Sequence, residues 1–103
     1  MATRSMFDFT SPKSEDLAPI ADKFLTEAGF KLSDYNGEKV YQKGELVGML
    51  PPQFIKLQID GNKVHMEAFV KNITGESDLK GIFGIAAKKP LKTTVEALIK
   101  AIS

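Results

Sequence analysis

Cysteine is absent from this chain of 103 residues. Its absence excludes disulfides, thiol catalysis and the common cysteine-based zinc sites. Histidine occurs once, at His65, so imidazole chemistry has a single candidate. Long apolar runs are missing too. The longest, counting glycine, is Gly81–Ala87, far too short to span a bilayer. The first ten residues, MATRSMFDFT, hold no signal-peptide core. No Walker loop, GxGxxG, HExxH or GxSxG occurs. A cytoplasmic protein without a membrane span, a cofactor or a metal is therefore expected, and the sequon Asn72-Ile73-Thr74 is chance. Net charge is only +1, which by itself points to neither nucleic acid nor membrane. Residues 79–103 nevertheless hold Lys80, Lys88, Lys89, Lys92 and Lys100 against Glu96 alone.

What is present is most explicit from Phe54 to Val70, FIKLQIDGNKVHMEAFV. A two-residue turn at Gly61-Asn62 sets the pairing, because such turns favour residues that tolerate positive φ. Ile59 then faces Val64, Leu57 faces Met66 and Ile55 faces Ala68, all apolar. On the opposite face Asp60 meets Lys63, Gln58 meets His65, Lys56 meets Glu67 and Phe54 meets Phe69. Two opposite-charge pairs and an aromatic pair arise from one register, each worth a few tenths to ~1 kcal/mol. The segment builds a sheet with one apolar and one polar face.

The remaining chain reads around this hairpin. Residues 6–9 suit a short edge strand. A helix is expected from Asp16, an N-cap that leaves Pro19 in the first turn, and it ends at Gly29. Its stripe is Leu17, Ile20, Ala21, Phe24, Leu25 and Ala28. Phe30 to Lys43 reads as a second hairpin about Asn36-Gly37, with Asp34 opposite Lys39 and Leu32 opposite Tyr41; a one-residue bulge would instead set Leu32 against Val40. Residues 44–52 form a connector, residues 71–77 a polar turn, and residues 79–87 an irregular strand or a loop. Pro90 opens the last helix or lies just before it. Thr93 and Glu96 match a capping box, and Val95, Leu98, Ile99 and Ile102 form its stripe. The expected architecture is a single two-layer α+β domain over residues 1–103. Its antiparallel sheet has four or five strands in hairpins, with both helices on one face.

Candidate chemistry is sparse. His65 lies on the polar face beside Glu67, where a solvated strand residue is the ordinary outcome. Gly81-Ile82-Phe83-Gly84 with Lys88-Lys89 has the outline of a phosphate-clamping loop, but its central residues are apolar. Phe54 and Phe69 share the polar face, so they are either covered by another segment, the 44–52 connector being closest, or open to a partner.

Several short stretches occur together: Gly29-Phe30, Val40-Tyr41-Gln42-Lys43-Gly44, Phe54-Ile55-Lys56, Met66-Glu67-Ala68-Phe69, Leu79-Lys80-Gly81, Phe83-Gly84 and Lys88-Lys89. In that order the chain resembles a group of small uncharacterised proteins of Gram-positive bacteria. Some of these join such a domain to a zinc ribbon, which this cysteine-free chain lacks. The resemblance implies a bacterial, cytoplasmic domain and no particular activity. The leading expectation is a non-catalytic binding or interaction domain with a protein partner, using Phe54 and Phe69 or Lys88, Lys89 and Lys92. One alternative is weak binding of nucleic acid or an anionic surface through Lys80, Lys88, Lys89 and Lys92. Another is a small-ligand carrier with a pocket lined by Leu57, Met66, Phe24 and Leu98. Monomer and homodimer both stay open.

Overall fold

The computed structural model describes residues 4–13, 16–44, 52–72, 75–77 and 85–103. In chain order these form β1 (Ser5–Thr10), α1 (Leu17–Glu27), β2 (Lys31–Tyr35), β3 (Glu38–Lys43), β4 (Gln53–Asp60), β5 (Lys63–Asn72), β6 (Gly75–Ser77) and α2 (Ile85–Ile102). The protein is α+β, with one open antiparallel sheet ordered β1-β5-β4-β3-β2 and short β6 paired to β5. Two hairpin closures set the pairing parity of β5. Lys63 closes on Asp60 and Asn72 closes on Gly75, so odd residues of β5 bond to β4 and even residues to the other side. β1 and β6 therefore lie end to end along one edge of β5.

Both hairpins adopt the register that their side chains favour. Phe54 faces Phe69, Leu57 faces Met66 and Asp60 faces Lys63 about Gly61-Asn62. Gly61 has φ +62° and Asn62 is not among the positive-φ residues, so glycine occupies the one position that needs it. In the first hairpin Leu32 faces Tyr41 and Asp34 faces Lys39, and no bulge intervenes. Asn36 and Gly37 both take positive φ, 51° and 85°, the geometry Asn-Gly favours most. The Asp34 carboxylate accepts from the Gly37 N–H at 2.9 Å.

Helix α1 begins and ends where its local chemistry directs. Asp16 accepts from the Ala18 N–H at 3.2 Å, and Pro19 sits in the first turn. At the far end Phe30 N–H donates to Leu25 O at 2.9 Å and Gly29 N–H to Thr26 O at 3.1 Å, with Gly29 at φ +96°. That pair of bonds closes the helix in a Schellman turn, which also buries Phe30 beside Leu25.

Two expectations are corrected. The segment from residue 71 is not simply a turn: β5 runs through Asn72, and Gly75–Ser77 returns along it. The last helix starts at Ile85, so Pro90 lies inside it. A proline in the second turn removes the N–H that would have met the Ala86 carbonyl and crowds that carbonyl with its ring. The helix keeps that defect and gains the buried stripe Leu91, Val95, Leu98 and Ile102. Thr93 and Thr94 are then interior, and their hydroxyls donate back to Lys89 O at 3.1 Å and Pro90 O at 2.9 Å. The expected capping box is not formed. Residues 78–84, with Lys80 and the two-glycine loop, and most of the 44–52 connector lie outside the described residues.

Alternate residues of β4 and β5 serve two clusters. The larger joins Ile55, Val64, Met66, Ala68 and Val70 to Leu17, Ala21 and Leu25 of α1 and to the α2 stripe. Phe24 and Leu57 pack against it, while Met66 and Leu98 are wholly buried within it. Phe24, Leu57, Met66 and Leu98, named for a ligand pocket, thus belong to one packed cluster. The smaller cluster is Val40, Phe54 and Phe69 with Tyr35 against it. Buried Ser11 ties three ends together: its N–H donates to Asn62 O at 2.8 Å, its carbonyl accepts from Asn62 Nδ2 at 3.2 Å, and its hydroxyl donates to Ile102 O.

Candidate functional site: the polar face of the sheet

The alternation of β1 sets Arg4, Met6 and Asp8 on the same face as Glu67 and His65, since Met6 pairs with Glu67 and Asp8 with His65. β3 contributes Glu38 and Val40, and β4 contributes Phe54, Lys56 and Gln58. The charged members join in one chain. Lys56 Nζ donates to Glu38 Oε1 at 2.7 Å. Arg4 grips Glu38 with two donors, at 3.0 and 2.8 Å, and Glu67 with one at 3.0 Å. His65 Nε2 meets Glu67 Oε2 at 2.9 Å and its Nδ1 meets Asp8 Oδ1 at 2.6 Å. One run of contacts, Lys56–Glu38–Arg4–Glu67–His65–Asp8, thereby straps β1 to the body of the sheet.

Beneath the strap lie the aromatic rings. Phe54 and Phe69 are stacked with centroids 5.0 Å apart, and Tyr35 tilts onto them at 4.8 and 5.5 Å. The Arg4 guanidinium carbon stands 4.2 Å from the Phe69 centroid. Phe54 and Phe69 retain 1% and 0% of their surface. The exposed aromatic patch considered from sequence is therefore not present. The pair is covered, and Tyr35 and Arg4 supply cover that no reading of the connector foresaw. Lys88 is also buried, at 3%, so it is not a surface cation. Lys89 and Lys92 are exposed on α2.

Electrostatics follow from these contacts. Hydrogen bonds from Arg4 and then Lys56 hold the Glu38 carboxyl at about 2, well below its usual 4.5. Burial pushes Glu67 up, but the bonds from His65 and Arg4 outweigh it and the net shift is downward. His65 is raised by its bond to Asp8 and then by that to Glu67, against a smaller opposing effect of burial. Carboxylates only accept, so both ring nitrogens of His65 must carry protons for both bonds to form. In that doubly protonated state the ring has no free lone pair, which suits an ion pair and not a general base. Elsewhere the Tyr41 hydroxyl donates to Asp22 at 2.8 Å, and burial followed by that bond pushes it up to about 12.

A pH dependence follows for His65. Its folded value lies above the unfolded one. Its contribution is complete below an unfolded value of about 6.5 and is lost as pH rises through the higher folded value. Thermal melts should show the advantage of wild type over His65→Asn shrinking as pH rises above about 6.5. An advantage constant over that rise would show that the imidazolium pairs contribute nothing.

The sequence placed Phe54 opposite Phe69 and His65 beside Glu67, but missed Arg4, Asp8 and Glu38. The signal for two of them was the alternation Arg4-x-Met6-x-Asp8 in a strand of unassigned partner. Lys56 was matched to Glu67 by register, yet it reaches Glu38 instead, because Arg4 and His65 occupy Glu67. No ion pair forms between Asp60 and Lys63 among the described contacts. Among the described residues there is no group of three or more His, Asp or Glu able to hold a metal ion, and no helix is long and apolar enough to cross a membrane. No protein-family model, curated protein or solved structure matches the chain.

Proposed function

We propose that this chain is a non-catalytic interaction domain that takes up an extended segment of a partner protein along the outer edge of β2, which no described strand covers. One observation carries the reading. Among the described residues the two large hydrophobic side chains left exposed are Met6 and Leu32, at 57% and 62%, and they lie on the two edge strands, β1 and β2. Tyr35 closes on Glu38 across a two-residue turn, so Lys31, Ser33 and Tyr35 bond to β3. The N–H and C=O of Leu32 and Asp34 then point to the open edge. An added strand would gain main-chain bonds there, with side-chain pockets supplying specificity.

Such a pocket adjoins Leu32. A groove of about 260 Å³ runs between α1 and the sheet, lined by Ala18, Ala21, Leu32, Tyr41 and Leu57, with Lys39 its charged member. It suits an apolar side chain followed by a carboxylate. In this reading α1 and α2 together form the second layer of a two-layer domain, β2 projects at its rim, and the setting is the cytoplasm. The ion-paired state of His65 and the buried state of Lys88 both favour a binding role over catalysis or anion capture.

Selection of peptides from a displayed random library tests the proposal. Binders with an apolar anchor are expected, and Leu32→Asp should abolish their binding while leaving the circular dichroism spectrum unchanged. Turnover of a defined substrate class, lost on a single substitution, would refute it.

A further inference from the structure

Arg4 is held on the polar face in the manner of a bound ligand. Its two terminal nitrogens make three bonds of 2.8 to 3.0 Å to Glu38 and Glu67. Its guanidinium carbon lies 4.2 Å from the centre of the Phe69 ring. Every one of these receiving groups belongs to β3 or β5. None belongs to β1, the strand that Arg4 precedes.

The receiving groups are also held in place without Arg4. Lys56 fixes Glu38 at 2.7 Å, and His65 fixes Glu67 at 2.9 Å. Phe69 is stacked on Phe54 and backed by Tyr35. The two carboxylates alone would accept any cation. Joined to an aromatic face they discriminate, because a planar fork of donors can bridge both acids while its face lies on the ring, and a compact ammonium cannot do both. The carboxylate side chains retain only 28% and 13% of their surface, and that of Arg4 retains 13%.

We infer that Glu38, Glu67 and Phe69 form a guanidinium receptor, filled in cis by Arg4 and able to take an arginine side chain supplied in trans when β1 leaves. The receptor stands apart from the β2 edge and does not depend on it. β1 is an edge strand that pairs with β5 alone among the described residues, so its departure breaks a single ladder. A trans arginine can come from a different protein or from the N-terminal strand of a second copy, which carries the same residue by identity.

The test uses the full chain with Arg4→Ala and methylguanidinium as probe. The variant should melt below wild type, and the probe should recover part of the loss saturably, with a Kd in the millimolar range, as expected of about five heavy atoms. Methylammonium at equal ionic strength should recover none, and wild type should gain nothing from either. If Arg4→Ala does not fold, Arg4→Lys keeps a charge and stem but not the fork, and methylguanidinium should raise its melting temperature. Adding Glu38→Gln to either variant should remove the gain. A response equal to that of methylammonium in both variants overturns the proposal. With the receptor shown, light scattering on Arg4→Ala mixed with wild type tests one source: a heterodimer identifies the second copy, and two monomers rule it out.

Discussion

Phe69→Ala is expected to cost about 3–5 kcal/mol of folding stability, the range for truncating a fully buried aromatic. Sequence alone sets Phe69 on a polar face, where such a change would cost little. The structure gives it no exposed surface and three neighbours: Phe54 stacked at 5.0 Å, Tyr35 at 5.5 Å and the Arg4 guanidinium at 4.2 Å. Truncation opens a cavity among rings whose mutual geometry contributes beyond their area. It also withdraws the floor on which Arg4 lies, so the strap across the sheet loses its support. Domains of this size have about 5–15 kcal/mol in hand, and the loss is a large share of that. Urea unfolding should show a lower midpoint at unchanged slope, with Phe69→Leu intermediate. A loss below about 1 kcal/mol would mean the cluster is surface and not a second core.

Acidification should remove a contribution from Glu38. Its carboxyl titrates at about 2 when folded and at 4.5 in the reference state. The unfolded chain binds the proton first as pH falls, so the contribution is whole above the unfolded value and drains away toward the folded one. At 1.36 kcal/mol per pH unit the upper bound is about 3 kcal/mol. With 28% of the side chain still exposed, solvent screening reduces this to about 1–2 kcal/mol. Glu38→Gln should therefore cost about 1–2 kcal/mol near pH 6 and roughly a quarter of that near pH 2.5. Denaturant titrations of both proteins across that window measure it directly. Parallel stability curves would mean that the Arg4 and Lys56 contacts leave no net trace.

The two outcomes bear on one question, whether the polar face is a working surface or a second packed layer. Phe69 and Glu38 are joined through Arg4, so their substitutions should be non-additive. Coupling between them would locate the stabilising interaction in the guanidinium itself. That is the same group that the receptor proposal requires to be replaceable.

Residues adjacent along the chain settled much of this architecture. Gly61-Asn62 and Asn36-Gly37 each admit one hairpin closure, and a slip of one residue would turn every apolar side chain of its strand to the wrong face. Asp16 and Gly29 bound α1 through bonds to backbone groups two to five residues away. Such interactions need no knowledge of the rest of the molecule, and so they were legible. The start of α2 was not. Pro90 reads locally as a helix boundary, and only burial of Leu91 to Ile102 against the sheet makes one missing bond acceptable. The partner of β1 was hidden for a related reason: nothing near residues 5–10 identifies Val64 to Ala68 as the strand they join. Arg4, Glu38 and Glu67 come from positions 34 and 63 residues apart along the chain. Register fixed which face each would share, but long flexible side chains choose partners by reach and competition. Lys56 accordingly went to Glu38, and two phenylalanines on a nominally wet face became dry beneath an arginine.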